Sequence, residues 1–185
     1  MKTRRAMGIA VLLVGCLALF FSLSACAADT DYLMERAKNL YDVKDYRGAL
    51  ALYQKVLEAQ PGNGTALDFA GWCMRYLGDW ASAEKTFRRA LEVLEGAEGR
   101  WVQVGLGETY LGAGMYRKAA EAFRKAVDLA PGEEELVTRS LKGEAWAYAS
   151  MGDRKAYDET VARLELHDAE AAQRTVAQTK EILAQ

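Results

Sequence analysis

Ala49, Tyr53, Val56 and Pro61 stand four, three and five residues apart, and the same intervals return twice further along the chain. Ala83, Phe87 and Ala90 repeat the first three positions, with Glu95 where a proline would fall. Ala119, Phe123, Ala126 and Pro131 repeat all four. Twelve residues before each leading alanine is a small residue, Ala37, Gly71 or Gly107, and three residues after that an apolar one, Leu40, Met74 or Tyr110. Between the two clusters lies a turn with an aromatic residue: Asp45-Tyr46, Gly78-Asp79-Trp80, Gly114-Met115-Tyr116. A period of about 34 residues implies a stacked array rather than a closed globule.

This pattern resembles the tetratricopeptide repeat. The resemblance implies an all-α fold, a right-handed superhelical α-solenoid of helical hairpins. The small residues then have a physical task. Gly71 and Gly107 let the first helix of a hairpin approach the second, and Ala49, Ala83 and Ala119 admit the neighbouring helix. Tyr53, Phe87 or Phe123 fills the space between them. Proline closes the second helix because it has no N–H to donate and disfavours helix in the residue before it. The expected units are 30–63, 64–97, 100–133 and a divergent fourth at 134–166, in which Ala145, Tyr148 and Gly152-Asp153 keep the first-helix pattern. Together they form a repeat domain over 30–166. A helix within 167–185 is expected to cap the stack, since terminal repeats need a polar outer face.

In this family the first helix of each hairpin lines a concave groove. Carried over by position, that groove holds Met34, Lys38 and Tyr41, then Asp68, Trp72, Arg75 and Tyr76, then Trp101, Val104, Glu108 and Leu111, then Arg139, Lys142 and Trp146. Tryptophan and arginine are the side chains most enriched at binding hot spots. Trp80, in a turn, is expected to be core. The Lys and Asn set with which some members clamp a C-terminal carboxylate is not matched: Lys38 is present, but Asp68 and Trp72 occupy the region of the asparagines.

The N-terminus carries a second signal. Lys2, Arg4 and Arg5 precede an uncharged apolar run from Ala6 to Leu23, and Leu23-Ser24-Ala25-Cys26 follows. A basic start, an apolar stretch and small residues read as an export signal. The final four residues resemble the lipobox of bacterial lipoproteins. That resemblance implies a signal peptide over 1–25, lipid on Cys26, a short tether over 26–29, and attachment to the bacterial envelope. Asp29 is not directly after the cysteine, which points to the outer membrane facing the periplasm, or to the cell surface. An ordinary cleaved signal and an uncleaved membrane helix remain alternatives, although the apolar run is barely long enough to span a bilayer.

Without the signal the 24 Lys and Arg fall to 21, facing 26 Asp and Glu. A mildly acidic chain of about 160 residues can build one core and lacks the basic stripe that nucleic acid requires. Cys16 lies in the signal, Cys26 is the lipid site, and Cys73 is expected to be a buried thiol. The single histidine, His167, sits at a helix boundary. No metal-ligand spacing, phosphate loop or catalytic constellation is visible, so no enzyme and no cofactor are expected. Glu133-Glu134-Glu135 reads as the start of a helix, where carboxylates favour the dipole. The expected function is an interaction adaptor or scaffold that docks a protein or extended peptide at a membrane, for envelope assembly. A small apolar-ligand-binding component of an envelope or transport complex is the alternative, and self-assembly a third, with the oligomeric state open.

Overall fold

The computed structural model describes residues 29–184, all helices and turns, with no strand among them. The signal segment and Cys26 lie outside the described residues. The described chain divides into two compact units, one ending at Pro61 and one beginning at Gly62.

The first unit is one hairpin, α1 (29–42) and α2 (Tyr46–Ala59). Ala37, Ala49, Tyr53 and Val56 are fully buried. Gln60 Nε2 donates to Thr30 Oγ1 at 3.0 Å, joining the end of one helix to the start of the other.

The second unit runs α3 (Gly64–Tyr76), α4 (Trp80–Val93), α5 (Arg100–Gly112), α6 (Tyr116–Leu129), α7 (Glu134–Met151), α8 (Arg154–His167) and α9 (Ala169–Thr179). A short 3-10 turn, Gly96–Gly99, absorbs the extra residues between α4 and α5. Each helix packs on the next, and α3, α5, α7 and α9 also touch in succession. Helices α3, α5, α7 and α9 therefore form one row and α4, α6 and α8 the other. At 18 residues α7 is longer than the 13-residue α3 and α5, because Glu134–Val137 extend its start.

The hairpin turns explain themselves chemically. Each needs one residue with positive φ after the first helix: Lys44 (φ 64°), Gly78 (81°), Gly114 (72°) and Gly152 (70°). Glycine adopts this conformation without steric cost, so it holds three of the four places. The following N–H returns five residues, as Asp79 N to Met74 O and Met115 N to Tyr110 O, both at or under 3.0 Å. Asp45, Asp79 and Asp153 then cap the second helix by accepting from Gly48, Ser82 and Ala156 N–H at 2.9–3.1 Å. Met115 takes that place in the third hairpin and offers no cap. At the start of α3 the cap is Asn63, which accepts from Ala66 N at 2.9 Å.

The close-approach role of the glycines is met by ring contact. A Cβ on Gly71 would lie 2.6 Å from Phe87, and one on Gly107 would lie 2.7 Å from Phe123. The rings have second glycine partners that the repeat pattern does not single out. A Cβ on Gly105 would lie 2.5 Å from Phe87, and one on Gly143 would overlap Phe123. Each phenyl ring thus sits between its own hairpin's first helix and that of the following hairpin. Both rings are fully buried.

The C-terminal part closes with an apolar cluster of Val127, Val137, Leu141, Leu164, Ala171 and Ala172. Tyr157, at the position of Ala83 and Ala119, packs with Ala145 and Ala149 and hydrogen-bonds Thr179 at 2.6 Å, while Val161 takes the place of Phe87 and Phe123. Helix α9 begins at an Asp168 cap and ends at Thr179, within the 167–185 stretch expected to carry the cap. Cys73 is fully buried, and its thiol is pushed up to about 12 by burial, which keeps it an unreactive core atom.

Candidate docking cleft

The position directly after each first-helix small residue is Lys38, Trp72, Glu108 and Trp146. Three residues before the small residue stand Met34, Asp68, Val104 and Lys142. Steps of three and four residues place both sets on one face of their helices. In the first unit Lys38 is exposed, Met34 half-buried, and the Tyr41 ring meets Tyr46 edge-on at 5.5 Å.

In the second unit the expected groove residues divide into a closed part and an open one. The closed part is centred on Trp72. Its ring meets Phe87 edge-on at 5.7 Å, while Arg75 lies 5.5 Å and Arg139 5.1 Å from its centroid. Arg75 also covers Tyr76 at 4.8 Å. Both guanidinium groups converge on one carboxylate: Arg75 pairs with Glu108 Oε2, and Arg139 Nε donates to Glu108 Oε1 at 2.6 Å. Three successive row helices, α3, α5 and α7, are thereby tied by one Arg–Glu–Arg bridge.

The exposure expected for two residues is corrected here. Trp72 is 6% exposed and Val104 fully buried, so neither offers a free groove surface. For Trp72 the cause is the pair of arginines stacked on its outer face. Asp68 lies beside it, and Trp72 hydrogen-bonds its carboxyl group. Burial still raises the Asp68 pKa from its ordinary value to about 6, and Oδ1 has no partner among the described residues.

Trp101 is held from its edge. Its indole N–H donates to Glu133 Oε1 at 2.8 Å, Glu133 Oε2 takes Arg100 Nε, and Arg139 lies 5.8 Å over the ring. Glu133 makes no side-chain cap at the start of α7. Its carboxylate is spent across the repeat boundary, where the sequence pattern suggested only a helix-dipole role.

The open part is a cleft of about 640 Å³ lined by Arg75, Glu108, Leu111, Arg139, Lys142 and Trp146, all expected, with Trp80, Gly112, Phe123 and Gly143. Trp80 is the second correction. It is half-buried rather than core, resting on Gly112, where a Cβ would come within 2.7 Å of the indole. The sequence signal that could have found it is Gly112 itself: a bare helix position, in the helix after the turn, that leaves room for a large ring.

Elsewhere the even-numbered row repeats one motif. Arg88 donates to Tyr110 OH at 3.1 Å, and Arg124 donates to the corresponding Tyr148 OH. Glu144, 1% exposed, is bracketed by Arg124 at 3.3 Å and Arg163 at 3.5 Å. Burial of a carboxylate is tolerable only with such partners, so this network reads as structural.

Sequence profiles of the tetratricopeptide repeat match residues 29–96 and 74–134, more than half the chain between them. The chain is a tetratricopeptide repeat (TPR) protein. Two uncharacterized TPR repeat-containing proteins of Arabidopsis thaliana are 31% identical to it over 104 and 98 residues. The matches cover 53% and 50% of this chain but only 13% and 12% of those proteins. Among solved structures it is similar to PilW, described as a widely conserved type IV pilus biogenesis factor, at TM-score 0.70 and 20% identity. That match covers 84% of this chain and 70% of the other. MamA from residue 41 onward, of Desulfovibrio magneticus RS-1, matches at 0.66 and 21% over 76% of each chain. YrrB, described as a TPR protein with an unusual peptide-binding site, matches at 0.61 and 19%, over 82% of this chain and 85% of that one. At these identities the likeness concerns the fold, an α-solenoid of TPR hairpins.

Proposed function

We propose that this TPR protein is an interaction adaptor, held at a bacterial membrane by lipid on Cys26, that docks a segment of a partner protein in the Trp80–Trp146 cleft. One observation carries the docking reading. Two half-buried indoles, Leu111 and three cations share an open cleft whose backbone is fixed by buried rings and the Arg–Glu–Arg bridge. Large rigid aromatics beside arginine in a preorganised hollow are what binding hot spots are made of. The charged lining speaks against an apolar small molecule, which favours an enclosed and mainly apolar pocket. A neighbour described by its peptide-binding site and another by pilus assembly support a protein partner in the envelope. The anchor rests on Leu23-Ser24-Ala25-Cys26 and the basic, apolar stretch before it.

The test is in-cell crosslinking of the full-length protein followed by identification of the attached chains. Wild type should capture a defined envelope partner, and the Trp80→Ala/Trp146→Ala protein should lose it, each change costing about 2 kcal/mol or more of binding. Capture that survives both changes would place the partner elsewhere. For the anchor, Cys26→Ala should abolish incorporation of labelled palmitate; retained label would disprove lipidation at this residue.

A further inference from the structure

Beside the cleft is a second hollow of about 580 Å³, lined by Glu134, Glu135, Thr138, Arg139, Lys142 and Asp168. Arg139 and Lys142 line both. Their two charges are not equivalent. Arg139 and Arg75 share the carboxylate of Glu108, so each guanidinium already has an anionic partner. Lys142 is half-buried and enters no ion pair among the described residues. On one side of this unspent ammonium are Trp146, Trp80 and Leu111, and on the other three carboxylates.

Resting on the docking reading above, we propose that the occupant is an extended segment of a partner protein carrying a bulky apolar side chain beside a single acidic residue. The apolar side chain lies against Trp80 and Trp146. The neighbouring carboxylate meets the Lys142 ammonium, the one cation lining the cleft that has no carboxylate partner among the described residues. A partly desolvated ammonium gains more from a carboxylate than a fully solvated one does. The second hollow then limits the acid to one. A further carboxylate on that side approaches Glu134, Glu135 and Asp168, and like charges repel. An acidic run, such as a polyglutamate tail, is therefore excluded. The selected feature is an apolar–acidic pair, not acidity in general.

The experiment uses the full-length protein in detergent. A displayed library of random twelve-residue peptides is selected on wild type and on Trp80→Ala/Trp146→Ala. The best binder is then made with blocked ends in three forms: as selected, with its acidic residue changed to Gln, and with two further Glu added after it. Calorimetry is run against wild type and Lys142→Gln, a variant that breaks no ion pair of the fold. The expected result is enrichment of apolar–acidic pairs that depends on the two tryptophans. The Gln form should bind wild type about tenfold more weakly, and the extra-Glu form should be weakened too. With Lys142→Gln the selected and Gln forms should bind alike, since the two changes remove the same interaction. Enrichment that needs the tryptophans but shows no acid preference, or a Gln penalty that persists in Lys142→Gln, overturns this inference and leaves the docking reading standing. No enrichment dependent on the tryptophans overturns both.

Discussion

Trp72 of α3 and Trp146 of α7 occupy the same place in their first helices, one residue after the small position, yet the structure uses them differently. Trp72 is walled in by Phe87 behind and by Arg75 and Arg139 in front. Trp146 opens onto a cleft that Trp80 also lines. The repeat register sets the direction of the Cα–Cβ bond and nothing more. Whether the ring is then covered depends on which side chains the neighbouring helices bring. Arg139 and Arg75 reach Trp72 because Glu108 draws both guanidinium groups toward one point. A cation–π contact thus converts a residue in groove register into core.

The comparison breaks most visibly in a pair of melts. Trp72→Ala removes a buried ring from a filled site and should cost about 3–5 kcal/mol of folding stability. Trp80→Ala and Trp146→Ala, at half-buried positions, should each cost about 1–2 kcal/mol. Chemical denaturation of the three variants measures this, and equal losses would mean the closed and open parts are not distinct. A smaller effect probes the device that closes Trp72. Glu108→Gln keeps the shape but leaves Arg75 and Arg139 with no common carboxylate, and should cost about 1–3 kcal/mol. Its tryptophan fluorescence should shift toward that of a more hydrated indole; an unchanged spectrum would show that the arginines cover Trp72 without Glu108.

The smallest effect concerns Asp68, beside Trp72. Its carboxyl titrates near pH 6 in the folded protein against an ordinary value of 3.8. The folded state therefore binds the proton more tightly than the unfolded one. This group's contribution is most favourable below about pH 4, declines as pH rises to 6, and stays unfavourable above it. Asp68→Asn removes the charge. It should gain on wild type by about 1–2 kcal/mol between pH 4 and pH 7.5, read as the difference between denaturation midpoints. A difference that does not change with pH would show the carboxylate to be well solvated.

Much of the fold was legible because its determinants are local. Small residues, ring positions and turn glycines recur at fixed spacing, and a turn that needs positive φ selects glycine whatever surrounds it. Six residues expected in the groove do line the cleft. What the sequence hid depends on contacts between hairpins. Gly105 and Gly143 fall two residues before the recurring small position and have no counterpart in the earlier hairpins, where Glu35 and Phe69 stand. Glu133 looks like a helix start until it is seen to hold Trp101. Trp80 looks like a turn aromatic, as Tyr46 and Tyr116 do, until Gly112 is seen to make a berth for it. Each of these pairings joins neighbouring hairpins and is absent from at least one of the other hairpins, so the residue pattern common to all the hairpins does not report it.

The rings of Phe87 and Phe123 each press on glycines from two hairpins, one at Gly71 and Gly105, the other at Gly107 and Gly143. A hairpin between these points cannot loosen without also uncovering its neighbour. The stretch from Gly71 to Gly143 is thus built to melt as a single block, whereas α8 carries Val161 where the earlier hairpins carry a ring, so no ring-on-glycine joint extends that block to the C-terminal end. The same arrangement sets the grammar by which such a chain can be lengthened or shortened. Excising 88–123 would deliver Gly143 to Phe87 in place of Gly105 and leave the joint intact, while excising half of that would strand a ring with no bare backbone to lie against.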